Sequence, residues 1–441
     1  MNPLAEKLRD HAVALGSEAE VPDALMDVVG DASFVLIGEA SHGTHQFYKN
    51  RAEITKRLIA EKGFTAVAVE ADFPDAYRVN RYVRCESKDR SAEEALSDFT
   101  RYPLWMWRNT EVLEFVEWLR DFNEQRPAEE RVGFYGIDLY SLHGSMEAVL
   151  KYLDSIDPEA AARARYRYSC FDHYGEDPQH YGYAASYDLK SSCEQEVIAQ
   201  LKEMRERTAD LMKQDGFLAR DEYFFAEQNA RVVKNAEEYY RQMFRGRVSS
   251  WNLRDCHMAD TITALSEHLA DQGRRSKIAV WAHNSHLGDA RATDMGSQGE
   301  WNVGQLIRQK FEGDTVLIGF TTHAGTVTAT TDWDQPAQLK KVRPGLEDSY
   351  ERLFHEVQIP NFLLDLRGPQ VRKLLARPRL ERAIGVIYRP ETERLSHYFS
   401  AYLAMQFDAV IHFNHTRALE PIDRVAGWSH EDAPETFPAG V

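Results

Sequence analysis

Short apolar runs rich in β-branched residues recur along this chain, and several of them stop at a group that titrates or binds metal. Phe34-Val-Leu-Ile37 runs into Gly38-Glu39 and then Ser41-His42, and Ala66-Val-Ala-Val69 ends in Glu70 and Asp72. Val132-Gly-Phe-Tyr-Gly-Ile137 closes on Asp138, and Lys277-Ile-Ala-Val-Trp-Ala282 closes on His283-Asn-Ser-His286. Thr315–Phe320, Phe362–Leu366, Ala383–Tyr388 and Ala409–Phe413 complete the set. Bounded by glycine or charge, such runs read as strands buried on both faces, although periodicity alone does not separate them from buried helix. Helical spacing fills the intervals, so the pattern predicts an α/β fold with a mostly parallel central sheet flanked by helices.

After Gly43 the spacing of Phe47, Ile54, Leu58 and Ile59 predicts a helix that Gly63 stops. Strand, helix and strand from Phe34 to Asp72 make a βαβ unit, which requires parallel pairing. Read as neighbours, the two strands bring Glu39 and Glu70 to one edge, where close carboxylates need a proton, a cation or a metal between them.

Residues 1–30 are predicted as helix, with Leu4, Leu8, Leu25, Val28 and Val29 on apolar faces. Arg101-Tyr-Pro-Leu-Trp-Met-Trp-Arg108 is predicted as a loop on the core or a pocket wall, and Val112, Phe115, Val116, Leu119 and Phe122 make the stripe of a following helix. Almost everything in 141–269 has helical spacing, apart from the irregular aromatic stretch Tyr166–Tyr187. The expected organisation is an α/β core in 1–140 and 270–425, a helical insertion in 141–269 that caps a cleft, and a tail at 426–441.

A formal net charge of −17 disfavours a nucleic-acid partner. No run is long enough to span a bilayer, and the first residues have no apolar leader core. Cys85, Cys170, Cys193 and Cys256 are scattered, forming neither a disulfide framework nor a cysteine zinc site, so cytoplasmic is the default location.

A parallel sheet would gather Glu39, His42, Glu70, Asp138, His283 and His286 at the carboxyl ends of its strands, where ligands bind in such folds. Each has a plainer alternative. Glu39 suits a helix-dipole partner and Asp138 a cap; His45 falls in the first turn of an amphipathic helix, where an outward-facing or structural role is expected. Arg51 is either a surface residue or a partner for a strand-end carboxylate. Two imidazoles at one strand end, His283 and His286, are harder to explain as loop furniture. The Gly-x-Ser-x-Gly elbow, the P-loop, the dinucleotide fingerprint and His-Glu-x-x-His are all absent. Histidines and carboxylates without an activated Ser or Cys point to water as nucleophile, activated by a base or by a metal.

Gly38-Glu-Ala-Ser-His-Gly-Thr-His-Gln-Phe-Tyr48, Val69-Glu-Ala-Asp72, Pro103-Leu-Trp-Met-Trp-Arg-Asn109, Gly136-Ile-Asp-Leu139, Asn252-Leu-Arg-Asp255, Ala282-His-Asn-Ser-His286, Tyr388-Arg-Pro-Glu-Thr-Glu-Arg394 and His412-Phe-Asn-His415 together resemble the erythromycin esterase family. The resemblance implies an α/β protein with a helical insertion and a deep cleft that hydrolyses a carboxylic ester or lactone, macrolide lactones being the founding substrates and antibiotic resistance the associated role, without a covalent intermediate. It implies His42 as general base, with Glu39 and Glu70 as the accompanying carboxylates, Arg51 as the arginine, and His283 and His286 as the later histidines. On this reading Glu39 orients His42, a water sits near Glu70, and His283 with Arg51 stabilises the oxyanion. His286, Asp138, Trp105, Trp107 and the aromatics of the cap are expected to contact substrate. The expected partner is a small ester or lactone, with no nucleic acid, no membrane and no required cofactor. Two alternatives stand beside it: a divalent-metal hydrolase with Glu39, His42, Glu70 and His283 as ligands, and a protein that binds a small molecule, haem or metal without turnover.

Overall fold

In the computed structural model, residues 2–175, 177–187, 192–211, 216–244 and 246–423 are described, so the tail expected at 426–441 lies outside them. Their strands are β1 (Ala12–Ala14), β2 (Phe34–Ile37), β3 (Ala66–Asp72), β4 (Gly133–Asp138), β5 (Ile278–Trp281), β6 (Thr315–Ala329), β7 (Gln338–Val342), β8 (Asn361–Asp365), β9 (Arg379–Arg382), β10 (Tyr398–Ala401) and β11 (Ala409–Thr416). Nine of them form one sheet in the order β1-β8-β11-β6-β2-β5-β3-β4, with β7 paired to the far end of β6, while β9 and β10 pair separately. From β11 to β4 every pairing is parallel; β8 and β1 continue the sheet antiparallel. The mostly parallel α/β expectation therefore holds.

Alternation along a strand sends successive side chains to opposite faces. In β2, Val35 and Ile37 pack in one buried cluster with Phe47, Ile54 and Leu58 of the helix His45–Lys62. Phe34 and Leu36 pack on the other face with Val280, Met258 and Ile262. Each cluster is worth about 25 cal/mol per Å² of apolar surface removed from water, which is what holds the helices on both faces. The helix His45–Lys62 ends at Gly63 in the left-handed region (φ 70°), as its sequence predicted.

Three expectations are corrected. β2 and β3 are not neighbours: β5 lies between them, so the crossover skips a strand. An apolar run shows that a strand is buried, but it does not name the strand beside it. Residues 1–30 are two short helices, Pro3–Arg9 and Asp23–Val29, with β1 between them pairing antiparallel to β8 at the sheet edge. The run Ala383–Tyr388 is not a sheet strand. It makes only isolated bridges, Ile384 to Ser41 and Ile387 to Thr330, because it crosses over the carboxyl edge.

Most of the insertion has its own core, in which Leu142, Val149, Ala161, Phe171, Tyr181 and Val233 are buried together. Within it Cys170 and Cys193 are bonded, so two of the cysteines that looked scattered form a crosslink. Its last helix, Arg247–Asp271, instead lays Met258, Ile262, Leu265 and Leu269 onto the sheet. Among the described residues no helix is long and apolar enough to cross a membrane.

Candidate active site

The register of the parallel strands levels their ends. Ile37 and Val69 both pair with Trp281, so Glu39, Glu70 and His283 emerge at one height. Close packing fixes the turn after β2. A Cβ on Gly38 would lie 2.2 Å from Asn284 Oδ1, and one on Gly43 would lie 1.8 Å from the Thr328 carbonyl. The Asn284 N–H donates to the Glu39 carbonyl at 2.8 Å, tying the ends of β2 and β5 together.

Glu39 is buried and accepts from His42 Nδ1 at 2.8 Å. Its other oxygen lies 3.1 Å from Arg51 Nη1. Arg51 is fully buried, its guanidinium 4.3 Å from the Tyr48 ring centroid and 4.7 Å from that of Trp281. With Nδ1–H engaged, the free lone pair of a neutral His42 is on Nε2. Glu39 and Arg51 do not line the cleft, so an oxyanion contact from Arg51 is corrected: it stands behind Glu39.

His283 faces His42, with ring centroids 5.0 Å apart. Its Nδ1 accepts from the Ser285 N–H at 3.2 Å and lies 2.8 Å from Ser285 Oγ, which places the proton of the neutral ring on Nε2. Burial first, and then His42, push its pKa down to about 3, so the ring stays neutral at ordinary pH.

Glu70 accepts from the His283 N–H at 2.9 Å and from Arg254 Nη2 at 2.7 Å. Burial raises its pKa, but His286, Arg254 and His42 outweigh this and hold it well below the usual carboxylate range. Arg254 also binds Asp138, through Nε at 3.0 Å and Nη2 at 2.7 Å, and its Nη1 lies 3.0 Å from His286 Nε2. Asp138 also takes the Leu139 N–H at 2.8 Å, so it caps the chain as well. His286 Nδ1 lies 2.9 Å from both oxygens of Asp255, which is completely buried. The indole of Trp251 stacks on His286 with centroids 4.5 Å apart. Arg254 and Asp255 belong to the site, although their sequence motif was assigned no role. The available signal was their position: Trp251, Arg254, Asp255 and Met258 continue the apolar stripe of the helix Arg247–Asp271, where solvated charges do not belong.

The expected metal set does not fit. Glu39 is committed to His42 and Arg51, and a cation on Glu70 would sit against Arg254. Among the described residues no three His, Cys, Asp or Glu side chains are grouped to hold a metal. His45 is buried between Glu111 and Glu18, which joins the first helix of the βαβ unit to two distant segments as a structural tie.

His42, Glu70, Asp138, His283, His286 and Trp107 line a cleft of about 630 Å³; Trp105 is buried behind it, so its expected substrate contact is corrected. The cap supplies less than expected. Arg247, Trp251 and Arg254 come from its last helix, and Tyr140 from the edge of its first, whereas Tyr168, Phe171 and Tyr181 are used in the cap's own core. The mouth is formed by Tyr102 and Leu104, by Trp333, by Val386 of the crossing segment, and by Leu395 beyond it. Trp333 is 53% exposed and Leu395 89% exposed there.

The family model described as erythromycin esterase matches residues 59–416. The chain belongs to the erythromycin esterase family. A curated member, the erythromycin esterase type II of Escherichia coli, is 23% identical over 318 residues, covering 69% of this chain and 72% of that protein. Among solved structures, a protein from Bacillus cereus matches with a TM-score of 0.79 at 20% identity, over 96% of this chain and 99% of the other. A succinoglycan biosynthesis protein gives 0.77 at 22%, covering 95% and 97%. A mutant of the erythromycin esterase EreC in its open conformation gives 0.65 at 17%, covering 91% and 95%. At these identities the structures show the shared erythromycin esterase fold, and the chemistry has to be argued from the cleft itself.

Proposed function

We propose that this chain hydrolyses a carboxylic ester or lactone by direct attack of water, with His42 as general base. The observation that carries the reading is the pair of imidazoles at the cleft floor, His42 backed by Glu39 and His283 held neutral beside it. His42 Nε2 takes a proton from a water near Glu70 as that water attacks the acyl carbon. Glu39 fixes the tautomer and stabilises the imidazolium that forms, and Arg51 holds Glu39 in place. The His283 Nε2–H, which among the described residues has only the Ala40 backbone near it and no well-formed hydrogen bond, donates to the oxyanion, a contribution of about 3–4 kcal/mol for one such donor. Burial makes this donor effective, because a neutral imidazole that resists protonation does not compete with His42 for the water's proton.

No step needs a metal or cofactor. The test is hydrolysis of a nitrophenyl ester panel in ¹⁸O-water, with and without chelator. We expect one labelled oxygen in the acid product, no burst of released phenol, and no chelator effect. A burst equal to enzyme concentration would require an acyl-enzyme and refute direct attack. Loss of turnover with chelator, restored by a divalent ion, would establish the metal mechanism instead, and tight ligand binding without turnover would make this a binding protein.

A further inference from the structure

Among the described residues, every arginine that lines the cleft is already committed to a carboxylate. Arg254 serves Glu70 and Asp138, Arg101 binds Asp72 through Nε at 2.6 Å and Nη2 at 3.0 Å, and Arg247 binds Glu300 at 2.8 Å. Two carboxyl groups on the same walls have no such partner. Asp75, in the first turn of the helix Phe73–Val83, is acted on by burial and by neighbouring charges alone. Asp294 has its Oδ1 enclosed by protein, yet that oxygen accepts no hydrogen bond from the described residues. An enclosed acceptor without a donor is costly, so the hydrogen-bonding capacity left open in this cleft calls for donors on the ligand. A substrate carrying its own carboxylate would meet only acids and occupied cations.

Donors come on hydroxyl or on ammonium groups, and the surroundings separate the two. Burial first, and then Asp72 and Asp98, push the Asp75 carboxyl up to about 8, so near neutral pH it both donates and accepts. Arg101, which opposes that rise, keeps Nη1 only loosely held, 3.4 Å from the Tyr102 carbonyl. A hydroxyl can use an acid and a guanidinium together, whereas an ammonium would be repelled by the second. An ammonium also needs open ring faces around it. The Tyr140 ring already carries the guanidiniums of Arg101 at 5.0 Å and Arg254 at 4.9 Å, and Trp251 is stacked on His286. What remains open is the indole of Trp333, which meets Tyr102 at 5.0 Å and 62° and is 53% exposed at the mouth. Tyr102 is in turn held by Thr330 at 2.7 Å, so the indole has a fixed prop. One open aromatic surface in a cleft with unfilled carboxyls suits a saturated ring with C–H bonds on its face and hydroxyls round its edge. The electron-rich indole face attracts the polarised C–H bonds while the hydroxyls reach the polar walls.

We propose that the ester taken by this cleft is carried on a carbohydrate, with Trp333 as the platform for a sugar ring and Asp75 and Asp294 as partners of its hydroxyls. The proposal rests on the hydrolytic reading above and names its substrate class. The cleft, at about 630 Å³, is of the size that encloses a whole small molecule, so there is room beyond the acyl group. In the reaction the acyl carbon gains the water oxygen and loses the sugar oxygen. The sugar oxygen leaves as a hydroxyl with the proton that His42 took from water, and the products are a free sugar and a carboxylic acid.

The test measures acetate release from glucose acetylated on its primary hydroxyl and from cyclohexylmethyl acetate, which sets the same acetate beside a six-membered ring without hydroxyls. Acetylcholine serves as the cationic ester and nitrophenyl acetate as the activated reference. We expect wild type to favour the acetylated sugar over the cyclohexyl ester by about tenfold or more in kcat/KM. In Trp333→Ala, Asp75→Ala and Asp294→Ala, with near-UV circular dichroism as the fold check, the sugar-to-nitrophenyl ratio of kcat/KM should fall about 3–10-fold each. A structural defect lowers both rates together, so an unchanged ratio in the folded variants overturns the proposal. Should a variant not fold, the others and the wild-type preference decide. Cleavage of nitrophenyl acetate without a preference for the sugar ester, or with a preference for acetylcholine, overturns this inference and leaves the hydrolytic reading standing. No turnover of any of the four esters refutes the hydrolytic reading, and this inference with it.

Discussion

Replacing Arg254 by Met removes one cation and leaves two carboxylates behind. Arg254 is bound to Glu70 at 2.7 Å and to Asp138 at 2.7 and 3.0 Å, and both acids are less than 5% exposed. Breaking a buried pair from one side costs about 3–5 kcal/mol, because the remaining charge is stranded. With a urea slope of about 3 kcal/mol/M for a chain of this size, the unfolding midpoint at pH 7 should drop by about 1 M or more. The pH dependence has a definite sign. Both acids have folded pKa values below their unfolded ones, so their stabilisation is present above about pH 4.5 and is lost as pH falls through the folded values. Without Arg254 those folded values rise, and acid relieves the stranded charge by protonating it. The gap between wild type and variant should therefore narrow from pH 7 to pH 4. Urea unfolding followed by tryptophan fluorescence at the two pH values is the assay. A midpoint shift below about 0.3 M at pH 7, or a gap that widens in acid, would refute the account of this cluster.

His42→Ala should lose about 10²–10⁴-fold in turnover with its thermal unfolding unchanged, and retention of more than about a third of the activity rules it out as the base. His283 should show neutral-ring ¹⁵N shifts down to pH 5, given a pKa pushed to about 3; an imidazolium signal at that pH would remove it as a neutral donor. Erythromycin should be opened poorly or not at all while small activated esters are cleaved. Mass spectrometry for the water adduct checks this, and kcat/KM near about 10⁴ M⁻¹s⁻¹ on the macrolide would overturn it and make resistance the leading role.

The strand ends were readable because two independent patterns coincide there, an apolar run and a titratable stop. That placed Glu39, Glu70, Asp138 and His283 on one edge, and it survives the misordering of β2 and β3 because every parallel strand from β11 to β4 ends on the same side. The insertion of β5 between them was not readable, since strand order depends on how flat faces pack and leaves no local mark. Neither were the partners of the carboxylates. A single guanidinium from a helix remote in sequence from both balances Glu70 and Asp138, and only the misplaced polarity of Arg254 and Asp255 on an apolar stripe hinted at it. The run Ala383–Tyr388 has strand composition, yet it crosses the sheet edge, because it serves as cleft wall.

That crossing has a consequence for how this protein can change. Trp333 and Leu395 stand at the mouth with most or half of their surface in solvent, outside the buried clusters that hold the sheet and its helices. Exchanging them costs the fold little, while Glu39, His42, Glu70, Asp138 and His283 are each less than 9% exposed and held at strand ends. A mutational drift confined to the rim would alter which molecules gain entry and leave the bond-breaking apparatus intact. For a laboratory, the same two positions are where a focused library should begin.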